Sequence, residues 1–205
     1  MRISIEGNIS SGKSTLLKNL VGNEFITKHF DTHLEPIGEW TDELALFYSN
    51  PKRWGLLMNS TAIVSMHSLY SRFESNSTIQ ERSIHSAFHA FVKCLDSSPV
   101  EKKLMSNLYY SLDQFSKYDL MFYVRTDPDM CVERLRNRGT VDSDADSDYI
   151  HKLHEAHQEW LDSPTTMNLP YRVIVIDGNK EQGEVVNEVL AHIQEFVANK
   201  AKKHS

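Results

Sequence analysis

Cysteine is nearly missing from this chain. There are two, Cys94 and Cys131, with no CxxC spacing. That argues against a disulfide scaffold and against a cysteine-built zinc site, and it favours a reducing compartment. A basic excess is missing too: 22 lysines and arginines stand against 28 aspartates and glutamates, a net charge of −6. A nucleic-acid polymer favours a basic face, so none is expected as a partner. No apolar run is long enough to span a bilayer. The first strand-like stretch starts at Arg2, which leaves no room for a signal or transit peptide, and the expected location is cytoplasmic. Repeats and interdomain linkers are also missing. The expectation is one domain over residues 1–205, with at most a lid.

What is present is concentrated at the start, MRISIEGNISSGKSTLLKNL. Arg2, Ile3, Ser4, Ile5 and Glu6 alternate polar and apolar side chains, as a strand does. Gly7, Asn8, Ile9, Ser10, Ser11, Gly12, Lys13 and Ser14 fit G-x-x-x-x-G-K-[ST], and from Thr15 the chain continues as a helix. Phosphate oxygens need many donors at close range. Glycine at both ends lets the backbone turn tightly and aim its N–H groups inward. The helix N-terminus adds partial positive charge. Lys13 can reach the outer phosphates, and Ser14 can hold Mg²⁺. The motif sits between strand and helix, where this mechanism needs it.

Further strands are predicted at 32–34, 78–81, 120–125 and 172–177, with helical patterns between them. Asn50-Pro51 reads as a helix cap and first helical residue, opening a helix that runs past Met66. Ser98-Pro99-Val100-Glu101 is a capping box that opens another long helix. Asp127-Pro128 starts a third, stopping at Gly139. Strands alternating with helices indicate an α/β fold with a parallel sheet covered on both faces. The acidic stretch 140–148 reads as a mobile loop, and 200–205 as a frayed tail. His151, His154 and His157 share one helix and read as face residues rather than metal ligands.

Four constellations follow the phosphate loop. Glu35, at the end of the second strand, points where α/β sheets bind ligands and can take a proton from an attacking hydroxyl. Alone it reads more readily as a surface glutamate before a turn. Glu81 and Arg82 end the third strand. They can position Mg²⁺ and neutralise developing charge, or they can be an exposed ion pair. Arg134 and Arg138 lie four residues apart on one helix face, which suits a lid over a triphosphate and equally a solvated basic helix end. Asn59, Ala62 and Met66 share a face of the long helix, with Tyr48 just before it. One amide, one small and one long apolar side chain can line a flat pocket for a base. An ordinary core stripe would tolerate Ala62 and Met66, but an inward Asn59 needs a partner.

Together GNISSGKST, EPIGEW, PKRW, QERS, RLRNR and YIHKLHEAHQEWL resemble the deoxynucleoside kinase family, over residues 2 to about 177. The short length and bare N-terminus look most like a viral representative. The resemblance implies a P-loop kinase fold, a central five-stranded parallel sheet with an arginine-bearing lid at about 134–148, and a homodimer through the long helices. It implies ATP as phosphate donor with Mg²⁺, and a deoxynucleoside as acceptor. Glu35 would be the general base on the 5′-hydroxyl. Arg82 would hold that hydroxyl and the transferring phosphoryl, with Glu81 near Mg²⁺. Tyr48 would bond the sugar 3′-hydroxyl, and Trp40 and Phe91 would wall the base. Arg134 and Arg138 match lid arginines. Asp177, Gly178 and Asn179, with Lys180, match the loop beside the adenine.

The departures bear on specificity. The family carries Gln where Asn59 stands, so water or a helix shift must make up one methylene. The third lid arginine falls at Thr140. The acidic lid residue that contacts the sugar has Asp142 as its candidate. Met66 and Ala87 stand where cytidine- and purine-preferring members carry Arg and Asp. Thymidine-accepting members are similar to this chain there, because the 5-methyl of thymine needs apolar room. The expected activity is ATP-dependent 5′-phosphorylation of pyrimidine deoxynucleosides, thymidine foremost. A nucleoside monophosphate kinase would need extra arginines for the acceptor phosphate. A nucleotide-dependent switch would not need the pocket of Glu35, Tyr48 and Asn59.

Overall fold

The computed structural model describes residues 1–73, 76–138 and 145–202. Five parallel strands form one sheet in the order β2-β3-β1-β4-β5. They are β1 (Arg2–Glu6), β2 (Asp31–His33), β3 (Thr78–Glu81), β4 (Leu120–Arg125) and β5 (Arg172–Asp177). The predicted strands agree, except that β2 begins and ends one residue earlier. The exposed Leu34 lies outside it, and pairing starts where Asp31 N donates to Ser77 O. Central β1 lies where the strand order reverses, and ligands of α/β sheets bind at the carboxyl ends beside such a strand.

Alternation along the strands sorts two cores. Ile3, Ile5, Ile79, Leu120, Phe122, Val124 and Ile176 face α1 (Lys13–Leu20), α2 (Glu24–His29) and α9 (Gln182–Lys202). Each of these buried apolar side chains contributes roughly 1.5–3 kcal/mol. Met121 and Tyr123 point the other way, to a cluster with Tyr70, Trp160 and Tyr171. That side is covered by α4 (Pro51–Arg72), α6 (Pro99–Asp113) and α8 (Ser147–Leu161). Ahead of α4, α3 (Thr41–Ser49) adds Leu44 and Phe47 to an adjoining cluster with Met58, Ile63 and Met105.

The polar residues of β1 are therefore buried, not solvated. Arg2 donates to the carbonyls of Tyr70 and Phe73 and lies 4.3 Å above the Tyr70 ring. Caps sit where the sequence placed them. Asn50 Oδ1 accepts from Arg53 N at 3.1 Å, and Ser98 and Glu101 exchange the reciprocal bonds of a capping box. Two boundaries differ from expectation. Asp146 caps α8 by accepting from Asp148 N, so helix begins inside the stretch read as a loop. Helix α9 runs to Lys202, and Lys200 Nζ donates to Asp119 Oδ1 at 2.8 Å, which ties down the start of the supposed tail.

After β3, the short α5 (Ile84–Ser86) passes into a π-helical segment, Ala87–Phe91. Such segments recur at functional sites because the wider turn re-aims side chains. Helix α7 (Pro128–Arg138) follows β4. Gly139, Thr140 and Asp142 lie outside the described residues, so the acidic lid candidate has no placement here.

Candidate active site

A cavity of about 770 Å³ runs along the carboxyl ends of the strands, from the 178–182 loop past the phosphate loop to the side chains of α3 and α4. Its centre is the turn from β1 to α1. Gly7 has φ 145°, and a Cβ there would lie 2.6 Å from the Val124 carbonyl oxygen, so only glycine lets the loop pass this close to β4. Gly12, at φ 102°, turns the chain into α1. Ile9, Ser10, Ser11, Gly12, Lys13, Ser14 and Thr15 all line the cavity. Among the described residues the buried Oγ atoms of Ser10 and Ser11 have no hydrogen-bond partner, consistent with a loop built to meet further polar atoms. Lys13 is buried, its Nζ donating to Asn8 O, and burial pulls its ammonium below the usual lysine range.

Three carboxyl and guanidinium groups converge on that loop. Arg82 Nε donates to Glu35 Oε2 at 2.9 Å and Nη1 to Gly7 O at 2.8 Å. Its guanidinium lies 4.7 Å from the centre of the Phe91 ring. Burial raises the pKa of Glu35, against the opposing charge of Arg82. Ser14 Oγ donates to Glu81 Oε1 at 2.6 Å. A hydroxyl and a carboxylate side by side are the oxygen donors that suit Mg²⁺, so the residues present fit that ion. Behind them Glu6 is completely buried. Burial raises its pKa, with Ser83, Arg82 and Ser4 opposing.

At one end, Trp40, Tyr48, Asn59, Ala62, Met66, Ala87 and Phe91 line a largely apolar chamber. Asn59 has the partner that an inward amide needs: its Nδ2 donates to Gly55 O at 3.0 Å, one turn back. At the other end Arg134, Arg138, Gly178, Asn179 and Lys180 line the cavity, and Arg134 Nη2 donates to Gly178 O at 3.5 Å. Three expected site residues stand outside the lining. Gly7 is beneath the loop. Asn8 turns its amide to Ile150 O, at 2.8 Å, and to Ile9 N. Asp177 accepts from Asn179 N and so shapes its loop. The histidines of α8 have separate surroundings: His151 pairs with the exposed Asp129, and buried His157 bonds Leu153 O.

The cavity also takes in residues not singled out from the sequence. Leu44 and Phe47 line it with Tyr48, and their spacing of three and four residues on α3 was a readable signal. Met58 is one turn before Ala62 on α4. Tyr149 comes from the first turn of α8 and stacks obliquely on Phe47, ring centres 5.8 Å apart. Nothing local in the sequence brings those two together.

A family model described as deoxynucleoside kinase matches residues 3–198. Human mitochondrial thymidine kinase 2 is 28% identical over 220 residues, covering 98% of this chain and 80% of that protein. A fowlpox virus protein named as a probable deoxycytidine kinase is 28% identical over 212 residues, covering 96% and 88%. The mitochondrial deoxyguanosine kinase of Xenopus laevis is 26% identical over 240 residues, covering 96% and 89%. The three names specify three different nucleosides, so similarity of this degree does not choose among them.

Proposed function

The chain belongs to the deoxynucleoside kinase family, an enzyme family of ATP-dependent phosphorylation, and on that premise we propose that it phosphorylates the 5′-hydroxyl of pyrimidine deoxynucleosides, thymidine foremost. The observation that carries the reading is the buried pair of Glu35 and Arg82, set between the phosphate loop and the apolar chamber. A neutral acceptor hydroxyl calls for a base beside it, and Glu35 is that base. Burial lifts its pKa toward the range where a carboxylate takes a proton readily. Arg82 holds the hydroxyl and the transferring phosphoryl, and its charge stabilises the oxygens that gain charge in the transition state. Lys13 serves the outer phosphates, and Arg134 and Arg138 close from the lid side.

Ser14 and Glu81 would hold Mg²⁺, which when bound neutralises phosphate charge. Trp40 and Phe91 wall the base and Tyr48 meets the sugar. Met66 and Ala87, both buried in the chamber wall, leave apolar room for a 5-methyl group. Asp142 remains the candidate for the sugar contact from the lid.

We further infer one kinase domain over the chain and a homodimer through α4 and α6. Val64 on α4 and Val100, Leu104 and Tyr110 on α6 are more than half exposed, an apolar surface that pairing of the long helices would cover. Two free thiols suit a reducing, cytoplasmic compartment. Among the described residues no helix is long and apolar enough to cross a membrane. A panel of deoxynucleosides with ATP, resolving mono- from diphosphate products, tests the proposal. The expected result is thymidine monophosphate as the fastest product, and turnover confined to purine nucleosides or to monophosphate acceptors would overturn it.

A further inference from the structure

Arg82 adopts a backbone conformation that arginine rarely takes. Its φ is 62°, in the left-handed region, which is strained for a residue with a Cβ and persists only where the surroundings enforce it. The guanidinium is anchored at Glu35 and Gly7. Those anchors hold the side-chain end and leave the peptide to other contacts. The peptide has its own two restraints. Arg82 N donates to Ile5 O at 3.0 Å, which extends the β1–β3 pairing by one residue. Its carbonyl accepts from Gln80 Nε2 at 2.8 Å.

Gln80 is an unusual residue for its place. It stands on β3, between β1 and β2, opposite Ser4 on one side and His33 on the other, and is 1% exposed. An amide in the middle of a buried strand forfeits its hydration, and an apolar side chain of the same length would fill the space without that cost. The amide is accounted for by what it does locally. It reaches two residues along the chain, past the end of the strand, to the one carbonyl whose orientation defines the left-handed turn at Arg82.

We propose that Gln80 is a positioning residue: its side-chain amide clamps the Arg82 carbonyl, holds the left-handed conformer, and so sets the direction from which the guanidinium meets Glu35 and the transferring phosphoryl. The inference rests on the reading above that Arg82 acts in phosphoryl transfer. A misplacement of about 1 Å at such a group costs up to about a hundredfold in rate. The clamp acts on the reacting end of the cavity and not on ATP binding, so the effect belongs in kcat.

The test is a double-mutant cycle on the full chain, with kcat and the KM for ATP measured for Gln80→Met, Arg82→Lys and the double variant. Methionine keeps the length and loses the donor. Gln80→Met is expected to lower kcat about tenfold with the KM for ATP within twofold of wild type. Adding it to Arg82→Lys is expected to lower kcat no further. Wild-type kcat in Gln80→Met, or a full additional tenfold loss in the Arg82→Lys background, would overturn the proposal. Wild-type kcat in Arg82→Lys alone would overturn the assigned role of Arg82 instead, and with it the ground for the clamp. Should Gln80→Met fail to fold, Gln80→Asn, which withdraws the amide by one methylene, takes its place with the same expected losses.

Discussion

Arg82 Nε donates to Glu35 Oε2 at 2.9 Å, with the two side chains 5% and 11% exposed. The pair has two opposed effects on the carboxyl. Burial raises its pKa and the adjacent guanidinium lowers it. The net direction is upward, and a carboxyl with a lifted proton affinity is the stronger base toward an alcohol. Glu35→Gln keeps the shape and one acceptor but cannot take the proton. The expected outcome is a fall in kcat of about 10²–10⁴, with ATP still bound in a titration. Near-normal phosphorylation by this variant would remove Glu35 as the base.

The same pair fixes the sign of a pH effect. With Glu35 as the proposed base, which must be ionised to act, activity is expected to be lost as pH falls through its pKa. Because burial raises that pKa, the acid limb of kcat/KM is expected above the ordinary glutamate value of 4.5. Arg82 holds the value down, so Arg82→Gln should move the limb to higher pH while reducing the rate overall. A pH–rate profile of each protein measures both, and a limb unmoved by loss of the guanidinium would dissociate the two groups.

Lys13 is a point charge at the N-terminus of α1, buried against Asn8. In the proposed role its removal would take a cation from the outer phosphates while leaving the backbone donors of the loop in place. Lys13→Ala should therefore weaken ATP binding and turnover together. Unchanged affinity and rate would contradict the assignment of this loop to phosphate.

Much of this arrangement was written in local pattern. The phosphate loop is legible because its mechanism demands particular residues at fixed spacing, and the starts of α4 and α6 because a cap is a contact within four residues. What was hidden depends on distance along the chain. Arg2, Ser4 and Glu6 look like the solvated face of a strand, and only the covering helices make them interior. Asn8 reads as a loop residue until α8, 142 positions on, supplies the Ile150 carbonyl. Phe47 and Tyr149 meet across a similar gap. The left-handed backbone of Arg82 has no sequence signal, because glycine or asparagine would be the expected residue there.

Glu6 offers a stability test independent of catalysis. Burial raises its pKa in the folded chain above the ordinary value of 4.5. The folded state then keeps this proton to higher pH than the unfolded state does. Stability accordingly falls as pH rises from that ordinary value through the folded one, and the deficit persists above it. Glu6→Gln removes the titration while keeping the shape. Its melting temperature relative to wild type should be more favourable at pH 8 than at pH 5. An advantage that is equal at both, or larger at pH 5, would show that Glu6 carries no raised pKa.

The proposed thymidine preference turns on Met66 and Ala87. Met66 lies one turn beyond Ala62 on α4, on the face that carries Asn59, and is 2% exposed; Ala87 opens the π-helical segment and is 5% exposed. Both line the apolar end of the cavity. If thymine occupies that end, the space beside these two side chains receives its 5-methyl group. Burying one methyl contributes only about 1 kcal/mol, less than tenfold in affinity, so attraction alone discriminates weakly between thymidine and deoxycytidine. Exclusion is stronger: a charged pair filling the same space would clash with the methyl and lose its own partners in accommodating it. The double substitution Met66→Arg with Ala87→Asp is therefore expected to lower kcat/KM for thymidine at least tenfold more than for deoxycytidine. Both charges must enter together, because either alone would be buried without a counter-ion and would report on folding instead. Measuring the two substrates on wild type and double variant decides the matter. An unchanged thymidine-to-deoxycytidine ratio in a folded, active variant would take Met66 and Ala87 out of the specificity argument and leave the thymidine preference without support.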